Sequence, residues 1–161
     1  GEMPEDVYTT TIDINIDAYI PNSYIPNEYQ KLDIYKRIAA IETEEERDDM
    51  LEELIDRFGE PPKKVQQLLR IAQLKAMAHK GYIVSIEQKG ERYIFTMYEK
   101  AKVNVAAIPA LLQKYKGDLT FKAEENPYFV YEKRKKGKKE KDEQIIENVS
   151  AVIEDIISLA Q

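Results

Sequence analysis

The chain has no cysteine, one histidine and six glycines in 161 residues. Without cysteine there is no disulfide framework and no thiolate metal site, which agrees with a reducing compartment and a cytoplasmic location. The single histidine, His79, has no cysteine to pair with. Its place near a helix C-terminus is that of a surface or capping residue rather than a general acid or base. Six glycines leave little material for a phosphate-cradling loop, and neither G-x-x-x-x-G-K-S/T nor G-x-G-x-x-G occurs. Nothing supports ATP hydrolysis, a resident cofactor, a metal or a catalytic residue within the chain. No apolar run approaches the roughly 18 residues of a membrane-spanning helix, and no signal-peptide pattern opens the sequence. The chain starts at Gly1, not Met, which reads as a piece of a longer protein or a tag remnant.

What is present fits one domain of ordinary size, large enough to bury a core without staples. Apolar residues make up 43% and charged residues 34%, as in a globular protein with a richly charged surface. The net charge of −6 is uneven: residues 1–80 carry 17 Asp and Glu against 10 Lys and Arg, and residues 81–161 carry 13 against 14. An acidic first half argues against general duplex binding, where phosphate neutralisation dominates affinity, and favours a basic protein surface as partner. Solvated surface is the plainer account of the same asymmetry.

Residues 1–10 read as a mobile linker. Thr11–Ile16 alternates, with Ile12, Ile14 and Ile16 on one face of a half-buried strand. Residues 18–26 form an extended loop that Pro21 and Pro26 hold out of helix. Asn27 with Gln30, and Thr43 with Glu46, are capping-box spacings that open helices over about 28–41 and 44–58. A third helix spans about 62–80, with Gly81 as its stop. The period then changes: residues 83–88 and 92–98 flank Lys89-Gly90-Glu91 as a hairpin. A short helix over 105–115 and strands at 119–123 and 128–132 follow. The last helix carries the clearest apolar stripe, Ile145, Ile146, Val149, Val152, Ile153, Ile156, Ile157 and Ala160. It is structural or docks on a partner. Together these predict an α+β fold, with a small, mainly antiparallel sheet packed against several helices in a single domain.

The segment Glu53-Leu54-Ile55-Asp56-Arg57-Phe58-Gly59-Glu60-Pro61-Pro62 stands out. Leu51, Leu54, Ile55 and Phe58 form an apolar stripe, Gly59 supplies a left-handed helix stop, and the prolines lead into the next helix. Glu53, Asp56 and Arg57 face away from the core, with Glu53 and Arg57 spaced for an i,i+4 pair. Two charge runs accompany it. Glu42–Glu53 holds eight carboxylates and one Arg, a solvated helix face or an acidic patch for a basic partner. Residues 133–141 hold seven basic side chains in nine. That run reads as a flexible, soluble loop, with phosphate contact by Lys133, Arg134, Lys135, Lys136, Lys138 and Lys139 as the alternative. The 11 tyrosines are placed as half-buried packing residues with exposed hydroxyls.

Two blocks together carry a resemblance. Ala18-Tyr19-Ile20-Pro21-Asn22-Ser23-Tyr24-Ile25-Pro26 is followed by Lys31-Leu32-Asp33-Ile34-Tyr35-Lys36-Arg37-Ile38. Then Glu53-Leu54-Ile55-Asp56-Arg57-Phe58-Gly59 with Pro62 is followed by Leu68-Leu69-Arg70-Ile71-Ala72. These resemble the C-terminal domain of the bacterial transcription-repair coupling factor family (Mfd), from about residue 12 to the last helix and least in the lysine-rich loop. The resemblance implies a large ATP-dependent DNA translocase that displaces stalled RNA polymerase and recruits nucleotide excision repair, its ATP- and Mg-dependent motor lying upstream. It implies a regulatory, autoinhibitory domain here, docked on the N-terminal UvrB-like module and masking the surface that binds UvrA. Glu53, Asp56 and Arg57 match the family's signature positions for that interface. A nucleic-acid-binding module using the basic loop and an unrecognised enzyme are the competing readings.

Overall fold

A computed structural model describes residues 8–160. It is α+β, as expected. The chain divides into two compact units, Ile16–Ala76 and the described residues up to Asn15 together with those from Met77 onward. The third helix, α3 (Lys63–Lys80), contributes to both.

The first unit is helical. Its entry loop turns at Pro21, whose carbonyl accepts the backbone N–H groups of Tyr24 and Ile25. Helix α1 (Glu28–Ala39) is capped by Asn27, whose side chain accepts the Gln30 N–H at 3.0 Å. Helix α2 (Glu44–Phe58) is capped by Thr43, which accepts the Glu46 N–H at 3.0 Å. The reciprocal half of that box is shifted by one residue, because the Glu46 carboxylate accepts from Glu42 N–H, not from the cap itself. Pro62 opens α3 by offering its carbonyl to the N–H groups of Val65 and Gln66.

The core of this unit gathers Ile20, Ile25, Ile34, Ile38, Ile41, Met50, Leu54, Val65 and Leu69. The predicted stripe of α2 needs a correction. It is centred on Met50 and Leu54, with Leu51 and Phe58 half-buried beside them, while Ile55 is 37% exposed. At about 100° per residue, Ile55 lies too far round from the Met50–Leu54 line to reach the core. Gly59 differs as well. Its backbone, at φ 86° and ψ −175°, is outside the left-handed helical well and in a region that essentially only glycine occupies.

The second unit holds a five-stranded sheet in the order β1-β2-β3-β5-β4. The strands are β1 (Thr11–Asp13), β2 (Ile83–Lys89), β3 (Arg92–Met97), β4 (Leu119–Lys122) and β5 (Tyr128–Tyr131). All pairs are antiparallel except β1 with β2. The first strand is shorter than expected. Ile12, Ile14 and Ile16 do alternate as half-buried positions, yet the ladder ends where Asp13 meets Glu87. The linker expected over residues 1–10 lies outside the described residues up to position 7. Beyond it, the Tyr8 ring stacks on Tyr98 at 4.9 Å, and Thr10 is buried and donates to the Ile83 carbonyl at 2.7 Å.

The predicted short helix is two pieces, a 3₁₀ turn at Val105–Ala107 and helix α4 (Ile108–Lys114). Pro109 sits in the first turn of α4, where its missing N–H has no partner to lose. Helix α5 (Asp142–Ile157) buries Ile146, Val149, Val152, Ile153 and Ile156 within this chain, so its stripe is structural. Gly81 follows α3 where there is no room for a side chain: a Cβ there would lie 2.6 Å from Ile157 Cγ1. The positive φ of that turn belongs to Tyr82, at 64°.

Candidate protein-interaction site

The outward side of α1 and α2 is organised by one carboxylate. Arg37, in the last turn of α1, donates from Nη1 and Nη2 to the two oxygens of Glu53, each at 2.5 Å. Arg57, one turn along α2 from Glu53, donates from Nη1 to Glu53 Oε2 at 2.9 Å. Glu53 is therefore a shared acceptor for two guanidinium groups, bidentate toward one of them. Such charge-assisted, forked contacts are shorter and more directional than neutral ones.

The electrostatic consequence is large at Glu53. Hydrogen bonds from Arg37 first, and from Arg57 second, hold its carboxyl at about 2, down from the usual 4.5. The bond to Glu53 raises Arg37 in turn. Arg57 also lies over the Phe58 ring, with its Cζ 4.9 Å from the centroid, so its guanidinium is fixed by a charge on one side and an aromatic face on the other.

Of the three sequence-predicted residues, the structure joins Glu53 with Arg57 and leaves Asp56 separate. Asp56 is exposed and has no ion pair or side-chain hydrogen bond among the described residues. Sequence reasoning missed Arg37 as a member of this group. Its signal was present as a cation on the flank of α1 in a hairpin with an acid-rich α2. The same face continues along α1 through Asp33, 3.9 Å from Arg37, to Leu32 and Tyr29, which are 56% and 86% exposed.

The entry loop also supports the site. The Tyr24 hydroxyl donates to the Gly59 carbonyl at 2.7 Å and lies 3.3 Å from the Leu54 carbonyl. The Tyr35 hydroxyl accepts the Ile20 N–H at 2.7 Å. One tyrosine of the 18–26 block thus closes the C-terminal end of α2, directly beside Arg57 and Phe58.

The remaining candidates are placed as follows. The carboxylates of 42–52 are solvent-exposed, and Arg47 among them pairs with Asp48 at 3.0 Å and donates to Gln73. His79 packs its ring 4.5 Å from Tyr8 and lies within hydrogen-bond reach of Thr10 Oγ1, while its carbonyl accepts from the Tyr8 hydroxyl. No group of three or more metal-ligating side chains converges among the described residues. In the second unit, the lysine-rich run 133–141 borders an open cavity of about 690 Å³. Within the run, Lys133 pairs with Glu140 at 2.9 Å and Lys136 with Glu91 at 2.7 Å. Arg134 is turned away from that cavity and covers Gly117.

Comparison with known proteins bears on the helical unit above all. A family model, the TRCF domain, matches residues 14–108, a range that contains Arg37, Glu53, Asp56 and Arg57 and excludes the lysine-rich run. The chain is 38% identical over 98 residues to the transcription-repair-coupling factor of Bacillus subtilis (strain 168), covering 61% of this chain and 8% of that protein. To the transcription-repair-coupling factor of Staphylococcus haemolyticus (strain JCSC1435) it is 37% identical over 100 residues, covering 62% and 9%. The chain thus aligns with under a tenth of the length of these relatives. Among solved structures, the crystal structure of the C-terminal domain of transcription-repair coupling factor superposes with a TM-score of 0.71 at 25% identity, covering 94% of each chain.

Proposed function

This chain belongs to the TRCF domain family, and on that footing we propose that it is the autoinhibitory, protein-interaction domain of an ATP-dependent DNA translocase that displaces stalled RNA polymerase and recruits nucleotide excision repair. In this reading it docks on the N-terminal UvrB-like module of the same protein and masks the UvrA-binding surface. The ATP- and Mg-dependent motor lies elsewhere in the parent, and the working location is the cytoplasm. This domain performs no catalytic step of its own.

The observation that carries the reading is the Arg37–Glu53–Arg57 group on the surface of α1 and α2. A solubilising surface has no need of two arginines held in fixed orientation by one carboxylate. Glu53, already engaged by three N–H donors, acts as the positioning residue. The groups left to meet the partner are the outer edges of the two guanidiniums and the Asp56 carboxylate. A partner surface presenting acceptors to the arginines and a donor to Asp56 would be held by a few charge-assisted hydrogen bonds. Contacts of this kind give coupling of about 1–3 kcal/mol, enough to close a surface and weak enough to release it.

The test uses the full-length parent. Glu53→Ala with Asp56→Ala leaves the fold intact and increases UvrA binding, read by pull-down or surface plasmon resonance. Unchanged UvrA binding in that double variant, with the fold preserved by circular dichroism, rejects the interface assignment.

A further inference from the structure

The lysine-rich connection between β5 and α5 meets its surroundings at three points. Lys133 Nζ bonds Glu140 Oε2 at 2.9 Å, and Asn148 of α5 donates to the same oxygen at 3.0 Å. Lys136 reaches Glu91 in the β2–β3 turn at 2.7 Å and Glu132 at 3.3 Å. The Arg134 N–H donates to Asp118 Oδ1 at 2.9 Å. These anchors consume Lys133 and Lys136 and leave Lys135, Lys138 and Lys139 on the cavity with no anionic partner among the described residues.

A second observation comes from the floor of the same cavity. Tyr93 and Tyr131 face each other across β3 and β5 and are only 8% and 6% exposed. Both line the cavity, and neither hydroxyl has a hydrogen-bond partner among the described residues. The hydroxyl oxygens themselves stay open to the cavity, since neither is among the buried unpartnered polar atoms of the described residues, so two accessible donors lie beneath three ammonium groups, where an anion's oxygens fit. The first turn of α5 adds its positive dipole end, since Asp142 and Ile145 also line the space and the cap residue Lys141 makes no side-chain cap bond. The carboxylates in the lining are Glu91, Glu140 and Asp142, and the first two are already neutralised by Lys136 and Lys133.

Every basic group on the cavity is a lysine, a compact point charge, and the guanidinium of Arg134 is directed elsewhere. Three point charges gathered with two neutral donors offer partners to several oxygens at once, which suits a phosphate-bearing polyanion better than a single carboxylate. The two tyrosine rings are too buried to stack bases, so recognition is limited to phosphate. We propose that this cavity binds phosphate groups, carried by a nucleic-acid strand or by a free polyphosphate, on Lys135, Lys138 and Lys139 with the Tyr93 and Tyr131 hydroxyls as neutral donors. This site is independent of the α1–α2 face and stands or falls without it.

The experiment is a fluorescence anisotropy titration of this chain with a labelled oligothymidylate at low salt, with tripolyphosphate and an oligoglutamate peptide as competitors. Three neutralised phosphates give a slope of log K against log salt of about −2 for a single strand. Substituting Lys135, Lys138 and Lys139 together by Gln removes the binding without changing the thermal melt. Tyr93→Phe with Tyr131→Phe weakens it several-fold while the salt slope stays the same. Binding of the strand assigns the nucleic acid as source. Capture of tripolyphosphate alone, followed by calorimetry, assigns a free polyphosphate. No binding of either at low salt, binding that the triple variant keeps, or tighter binding of oligoglutamate than of both overturns the proposal.

Discussion

At the scale of single residues, Glu53 is a charge whose folded environment prefers it ionised. Its carboxyl titrates near 2 in the folded chain against an ordinary 4.5. A depressed carboxylate contributes stability that is complete above its unfolded value and disappears as pH falls through its folded value. The contribution of Glu53 is therefore present above about pH 4.5 and lost toward about pH 2. The pair stands partly in solvent, so its size is about 1 kcal/mol. Urea melts of Glu53→Gln and the parent should differ by that amount at neutral pH and converge toward pH 2; a constant gap would show that Glu53 acts through packing instead. Gly59 gives a cleaner case. No atom lies within 4 Å of a Cβ placed there, so Gly59→Ala meets only backbone strain, about 1–3 kcal/mol. A lowered denaturation midpoint with an unchanged m-value is the expected result. The glycine itself could be read from the chain, but its extended ψ could not, because that depends on Tyr24 drawing the Gly59 carbonyl inward from 35 residues away.

Secondary-structure elements were legible wherever their signals are local. Asn27 and Thr43 declare their helices because a capping side chain reaches only three residues along the chain. The β2–β3 hairpin follows from Gly90, whose φ of 63° the turn requires. Thr43→Ala should cost about 1 kcal/mol, read as a lower melting temperature. Thr43→Ser should retain most of the stability, since a hydroxyl remains for the Glu46 N–H. What stayed hidden at this scale were features made between elements. The predicted stripe of α2 included Ile55 and omitted Met50, because only packing in the helical core fixes which side of α2 is inward. Arg37 belongs to the Glu53 group only because α1 and α2 lie side by side. The glycine after α3 could be read as a stop, but the lack of room for a side chain at Gly81 comes from Ile157, on a helix far along the chain.

For the whole molecule, composition alone excluded thiol chemistry, and no helix among the described residues is long and apolar enough to cross a membrane, while the order of the strands required the structure. The helical unit has a core drawn entirely from its own residues, Ile20 through Leu69. Residues 16–80 expressed alone should therefore show helical circular dichroism and a cooperative, if low, melt, as chains of about 60 residues can fold unaided. A non-cooperative melt would mean that this core needs the rest of the chain. The parallel ladder of β1 with β2 has a different bearing. It joins Thr11 to Ser85, so all of α1, α2 and α3 lie in the loop it closes. Closing a loop of disordered chain costs entropy that grows with its length, and a span already condensed into helices is shorter in that sense. The antiparallel hairpin at Gly90 can form within microseconds, whereas β1 has only three residues with which to offset its closure. The order of assembly follows: helices and hairpin early, β1 last. On brief exposure to deuterated solvent, the amides of β1 should be the first of the sheet to exchange.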